Sequence, residues 1–329
     1  MKRKLVFQCI IVLLIVSFLF TNISYNSVKG RVEINLRKNL ISVGQFVGYK
    51  ALTSISKIKL HLHSLSGSHS LVDTSWDGQS SYVFQALLKR WPKHLTCNGS
   101  NMINFSDMRS NKSLAAFIVD IGAHDGIWLS NSHYFLQAGF GGLLVEPNPG
   151  TFSELKRTWP DSEIINSSKV LSFTSHQNKK VLQNSPKTTG CRNYVQPGTQ
   201  KMVKSDIYIV EAAFGFNRSK GNIFDNSILL DATQSRVAES NTGNINIIPL
   251  PTLLEYVKVP KHFSVLSIDI EWESHNYVKV VRDVISKGWN PEFLILELRG
   301  NLDARSSLTK LGYEYLKTMR YDDIFSRIY

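Results

Sequence analysis

The sequence predicts an α/β fold, a Rossmann-like, mostly parallel sheet with helices on both faces. Three observations predict it. Short apolar runs recur from residue 115 onward, helical stretches separate most of them, and three of the runs close on acidic residues. Strands that alternate with helices give a parallel sheet, because each parallel connection must cross back over the sheet.

The runs cover residues 115–121, 141–146, 206–213, 264–270 and 292–298. The first ends in Asp120-Ile121-Gly122-Ala123-His124-Asp125-Gly126, the second in Glu146-Pro147 and the fourth in Asp269-Ile270-Glu271. Helices are expected over 151–157 and 275–287. In such a sheet ligands bind beyond the carboxyl ends of the strands, near the point where the strand order reverses.

The N-terminal third is organised differently. Lys2, Arg3 and Lys4 precede an apolar run over 5–20, broken by Gln8, Cys9 and Ser17. Extended through Thr21 and Ile23, the run approaches the length a bilayer requires, and the basic tip should stay cytosolic. Residues 1–26 are therefore expected to be a cytosolic tip and signal-anchor segment, giving a single-pass type II protein in the Golgi or endoplasmic reticulum. A cleaved signal peptide, and hence a secreted protein, is the rival reading, although Tyr25 and Asn26 crowd the candidate cleavage positions. Residues 27–112 read as a polar stem, and residues 93–111 as exposed chain. Within the stem, Val83, Phe84, Leu87, Leu88 and Trp91 share one face of a helix over 80–91. Residues 113–329 form the α/β domain.

The 329-residue chain is 43% hydrophobic and 11% aromatic, which excludes wholesale disorder. Its net charge is +12 and its basic residues are spread along the chain, with no basic run interleaved with aromatics, so no nucleic-acid partner is expected. Glycosylation sequons occur at Asn98, Asn104, Asn111, Asn166 and Asn217, which agrees with a lumenal domain. With Cys9 in the apolar run, Cys97 and Cys191 are the one possible disulfide pair. No Cys or His cluster has zinc spacing, and His61 and His63 are expected to be solvated; no metal site is expected.

The candidate chemistry lies at the strand ends. Asp120, Gly122 and Gly126 form D-x-G-x-x-x-G, where glycine allows a tight turn and the approach of a ligand without a Cβ clash. Glu146 follows Gly126 by 20 residues and closes the next strand, where an acid can accept both hydroxyls of a ribose. The spacing departs from the G-x-G-x-x-G dinucleotide pattern, and Asp120 and Asp125 disfavour a pyrophosphate while suiting a sulfonium or an amino group. Asp269, Glu271 and His275 cluster at a later strand end as candidate base or acceptor-binding groups. The competing assignment makes Asp269 and Glu271 caps of the next helix and leaves His275 in solvent.

These motifs resemble the FkbM family of methyltransferases. The resemblance rests on Val119 to Gly126, Leu129-Ser130-Asn131-Ser132, Gly142 to Pro149, Ala212-Ala213-Phe214-Gly215, Leu266 to Glu271 and Leu311-Gly312-Tyr313, in order from about residue 113 to the C-terminus. It implies a class I methyltransferase fold, S-adenosyl-L-methionine as cofactor, and commonly a hydroxyl acceptor. Asp120, Gly122 and Gly126 would line the methionine end and Glu146 would hold the ribose, with Ala123 and Asn148 also binding the cofactor. Two features depart from the family pattern. Trp272 stands where the family usually has glycine, and the segment 161–204 is longer than the family's connection and reads as a surface insertion or lid.

The expected function is methylation of a hydroxyl on a glycan or other secretory-pathway acceptor. Two alternatives stand beside it. One is a lumenal type II glycosyltransferase in which Asp269-Ile270-Glu271 holds a metal and a nucleotide diphosphate. The other is a non-catalytic interaction protein that retains the methyltransferase fold. The topology has a direct test: in intact microsomes the domain should resist added protease until detergent is supplied. Digestion without detergent would refute the lumenal placement.

Overall fold

The computed structural model describes residue 71 and residues 73–91, 95–97, 103–107, 112–173, 206–224, 236–240, 242–270 and 274–329. All of them lie in one compact unit, Thr53–Tyr329. The basic tip, the apolar run, the stem to residue 70, Cys191, Glu271 and Trp272 lie outside the described residues, and with them the expected disulfide. Among the described residues no helix is long and apolar enough to cross a membrane.

The first half of the chain runs α1 (Gln79–Arg90), β1 (Leu95–Cys97), β2 (Ile103–Asp107), β3 (Lys112–Ile121), α2 (His133–Gln137), β4 (Gly141–Glu146), α3 (Pro149–Thr158), β5 (Glu163–Ile165), α4 (Ser167–Ser172) and β6 (Ile207–Glu211). The second half runs β7 (Ala213–Phe214), β8 (Ser219–Phe224), β9 (Arg236–Glu239), β10 (Ile245–Ile248), α5 (Leu250–Val257), β11 (His262–Ile268), α6 (Ser274–Ser286), β12 (Asn290–Glu297), α7 (Leu302–Lys310), β13 (Tyr313–Met319) and β14 (Asp322–Arg327).

The main sheet has the order β13-β14-β12-β11-β3-β4-β6-β5. From β12 through β11, β3, β4 and β6 to β5 every pairing is parallel. β14 enters antiparallel between β12 and β13. From β3 the chain first builds outward through β4 and later returns to β11 on the other side, so the order reverses at β3.

The uninterrupted apolar character of the central strands follows from burial on both faces. On one face Val119, Leu266 and Leu294 pack with Leu253 of α5, Tyr277 and Val281 of α6 and Leu308 of α7. On the other, Ile118, Leu144, Val265 and Phe293 pack with Leu87 of α1, Phe135 of α2 and Phe152 of α3. Helix α1 follows the expected face: Val83, Leu87 and Trp91 are buried and Phe84 and Leu88 partly so. It stops at Trp91, whose backbone is extended, as the residue before Pro92 prefers. Its last turn is fastened to the sheet by Arg90, whose Nε lies 2.8 Å from the buried Glu292 of β12. Burial pushes the Glu292 carboxyl up, but His262, Tyr329 and Arg90 outweigh it and hold the group below its ordinary range.

The structure differs from the sequence reading in three places. Residues 95–97 and 103–107, for which no strand was expected, form β1 and β2, and β2 pairs antiparallel with the first half of β3. The alternation Ile103-Asn104-Phe105-Ser106 is the period-2 signal that carries this pairing. The start of the 161–204 segment is not an excursion but supplies β5, at the sheet edge, and α4. Residues 213–248 contain a separate four-stranded sheet, β7-β10-β8-β9, around Ala213, Ile245 and Ile247. Its strands are two to six residues long, too short for periodicity to announce them.

Candidate active site

The loop after β3 is built from unusual backbone. Gly122, His124, Gly126 and Leu129 all have positive φ (88°, 54°, 74° and 53°). A bulky residue such as Leu129 in this region is strained, and such strain concentrates at functional sites. The loop is hung from the neighbouring strands. The Gly122 and Ala123 N–H groups both donate to the Val145 carbonyl, at 2.9 and 3.1 Å, and the Asp269 N–H donates to the Ile121 carbonyl at 2.9 Å.

The two glycines serve packing more directly than ligand approach. A Cβ at Gly122 would lie 2.0 Å from the carbonyl oxygen of Asp269, so the glycine lets the end of β11 close over the turn. A Cβ at Gly126 would lie 2.7 Å from Leu155 Cδ1 and 2.8 Å from Trp159 Nε1, so this glycine admits α3 and the residue after it. A bulky residue at Gly126 therefore strikes α3, and loss of ligand binding in such a variant would not by itself mark a ligand contact.

Glu146, at the end of β4, is buried and accepts two backbone N–H groups: His124 to Oε2 and Asn148 to Oε1, both at 2.9 Å. Burial pushes its carboxyl up, against His124 and these two hydrogen bonds. Asn148 caps α3, its Oδ1 accepting from Gly150 and Thr151. Asp125 binds the loop internally, its Oδ1 accepting from Ile127 and Trp128 at 2.9 and 2.7 Å. Burial alone would raise the Asp125 carboxyl, but His124 and these N–H groups hold it below its ordinary range.

Asp120, at the end of β3, is 2% exposed. Burial pushes its carboxyl up, opposed by Ser132 and by Ser267 of β11. Its Oδ2 is buried with no hydrogen-bond partner among the described residues. Asn131 Nδ2 reaches the same Ser267 hydroxyl at 3.2 Å, and the Ser80 hydroxyl at the start of α1 donates to the Asn131 carbonyl at 2.8 Å.

Of the later candidates, Asp269 follows β11 directly and is exposed, its backbone against Gly122. His275 lies in the first turn of α6 and is exposed. Glu271 falls outside the described residues. The structure thus brings Asp120, Gly122, Ala123, Glu146 and Asp269 to one edge of the sheet, and makes Gly126 and Asn148 supports of α3.

Four polar residues at the same edge, Gln79, Glu297, Arg299 and Asp322, escaped the sequence reading. Glu297 ends β12 opposite Asp322 of β14, and the Gln79 amide donates to Asp322 Oδ2 at 2.8 Å. Arg299 forks onto Glu297 Oε1 through Nε and Nη2, at 3.0 and 2.7 Å. Glu297 carried the signal that marked Glu146, an acid closing an apolar strand; Asp322 had none, because its place depends on β14 inserting antiparallel.

The site is thus one end of a doubly wound sheet, with two buried carboxylates on adjacent strands either side of a left-handed turn. The chain belongs to the methyltransferase FkbM domain family, whose model matches residues 120–315. The glycosyltransferase alternative is thereby set aside. Among solved structures, a similar chain is Streptococcus pneumoniae Sp1610, a candidate tRNA (m1A22) methyltransferase. It is 11% identical, with a TM-score of 0.30, and the match covers 65% of this chain and 65% of that one. No curated protein matches the chain.

Two outcomes follow. Gly122→Ala should destabilise the protein by at least about 1–2 kcal/mol, the cost of a left-handed side chain alone, read by urea denaturation; wild-type stability would show that β11 does not close on the turn. The second concerns Asp322, whose carboxyl is pushed by burial from 3.8 up to about 7, with Glu297, Asp323 and Asp120 adding to the rise and Gln79 opposing it. A raised carboxyl binds its proton more tightly in the folded state, so its contribution to stability falls as pH climbs between those values. The stability of Asp322→Asn relative to wild type should rise across that window and level off above it. A pH-independent difference in melting temperature would exclude this.

Proposed function

We propose that the chain uses S-adenosylmethionine, in a class I methyltransferase site, to O-methylate a hydroxyl on a glycan or another secretory-pathway acceptor. The observation that carries the donor assignment is the pair of buried carboxylates, Asp120 and Glu146, on the adjacent parallel strands β3 and β4.

The residues fit this donor. Asp120 Oδ2 is a buried acceptor without a donor among the described residues, and the amino group of a methionine moiety would supply one. Each Glu146 oxygen takes one backbone N–H. A carboxylate has about four lone-pair sites, so two remain for the hydroxyls of a ribose. Gly122 and Ala123 form the turn between the two acids. When bound, S-adenosylmethionine supplies a methyl group on a positively charged sulfur.

The chain's own part is to align the acceptor and remove its proton. Asp269 stands at the end of β11, beside the Gly122 turn, with an exposed side chain suited to a hydroxyl arriving from solvent. Glu271 and His275 are the further candidates on the same segment. The secretory-pathway assignment rests on the basic tip, the apolar run behind it and the sequons, of which Asn166 and Asn217 are exposed.

Calorimetric titration with S-adenosylhomocysteine tests the donor site. Glu146→Ala should weaken binding by about 1–3 kcal/mol; because Glu146 also holds the His124 and Asn148 N–H groups, a lower melting temperature should accompany this. Asp269→Asn should leave that affinity unchanged and lower turnover by about 10²–10⁴-fold. Unchanged affinity in the first variant, or unchanged turnover in the second, would remove the residue from its role.

A further inference from the structure

On the same edge of the sheet, past β12, two arginines adopt left-handed backbone: Arg299 (φ 51°) just after β12, and Arg320 (φ 58°) in the turn between β13 and β14. Such positions favour glycine or asparagine, and a long side chain is retained there at a cost. The Arg299 N–H donates to the Tyr321 carbonyl at 2.9 Å, which ties the two turns together.

The two guanidinium groups differ in their engagement. Arg299 is paired with Glu297. Arg320 Cζ lies 3.4 Å from the centroid of the Trp76 ring and 5.0 Å from that of Tyr321. Among the described residues no carboxylate pairs with Arg320, whereas Arg299 and Arg305 each have one. A guanidinium lying on an indole has one face covered and its N–H edge free, an orientation that suits two-point recognition of an oxyanion.

The surroundings put this group at the same end of the sheet as the candidate site. Trp76 lies three residues before Gln79, whose amide holds Asp322, and Asp322 in turn feels the charge of Asp120. Tyr321 is 52% exposed and offers a ring face beside the arginine. At the same end of the sheet, Glu297 Oε2 is buried without a hydrogen-bond partner among the described residues.

We propose that Arg320, stacked on Trp76 and flanked by Tyr321, is an anion subsite for the acceptor, so that the hydroxyl-bearing substrate also carries a carboxylate or sulfate, as an acidic sugar does. The word acceptor rests on the methyltransferase site proposed above.

Glycine is the conformation's own choice at position 320, so Arg320→Gly deletes the side chain while relieving the backbone. The full chain, in detergent, is titrated calorimetrically with a hyaluronan hexasaccharide, which bears carboxylates, and with neutral chitohexaose. Wild type should prefer the acidic ligand, and Arg320→Gly should weaken that binding by roughly 10- to 100-fold, the weight of a charge-assisted hydrogen bond. Its melting temperature should stay near the wild-type value and its S-adenosylhomocysteine affinity should be unchanged. If the glycine variant melts well below wild type, Arg320→Gln supplies the same comparison. Equal binding of acidic and neutral ligands by wild type, or acidic binding that survives loss of the arginine, would overturn the subsite. Failure of wild type to bind S-adenosylhomocysteine would instead count against the donor site.

Discussion

The contact on which the site depends is the approach of the Asp269 carbonyl to Gly122, where no Cβ can stand. It occurs where the strand order reverses, so the end of β11 and the loop after β3 meet at the point where a doubly wound sheet opens a crevice. From this closure the other features of the loop follow. The turn must be left-handed at Gly122, its N–H groups must find the Val145 carbonyl on β4, and the His124 N–H falls to Glu146. Glu146 is thus both a member of the proposed donor site and a brace for the turn it faces.

The same edge is graded in chemistry. Toward β4 the carboxylates are engaged by backbone N–H groups. Around Asp120 they are met by the hydroxyls of Ser132 and Ser267. Toward β12 and β14 they are paired with Arg299 and Gln79, and the rim turns aromatic and basic. Burial raises the carboxyls of Asp120, Glu146 and Asp322, which makes the edge costly to ionise as a whole. A ligand that brings donors or positive charge to Asp120 and Glu146 offsets part of that cost.

Helix α1 reaches this edge with its first turn. Its first turn contributes Gln79 and Ser80 to the acidic end of the site, and its last turn is fastened by Arg90 to Glu292 at the opposite end of β12. The helix therefore spans the sheet from the site to the far edge, and its apolar stripe of Val83 and Leu87 holds the two ends in register.

The sequence by itself determined the elements whose signals are local. Apolar runs longer than any turn specified β3, β4, β11 and β12, because strands buried on both faces need an unbroken apolar composition. The period of Val83, Leu87 and Trp91 specified α1. Glycine and acid at the strand ends specified the Gly122 turn and Glu146. What only the tertiary structure decided is what those residues touch. That Gly126 and Asn148 support α3, that Asp322 comes to lie opposite Glu297, and that Arg320 rests on Trp76 depend on strand order and on contacts between residues far apart in the chain. The antiparallel insertion of β14 and the short strands of the second sheet have no periodicity of their own, since pairing partners, not composition, fix their place.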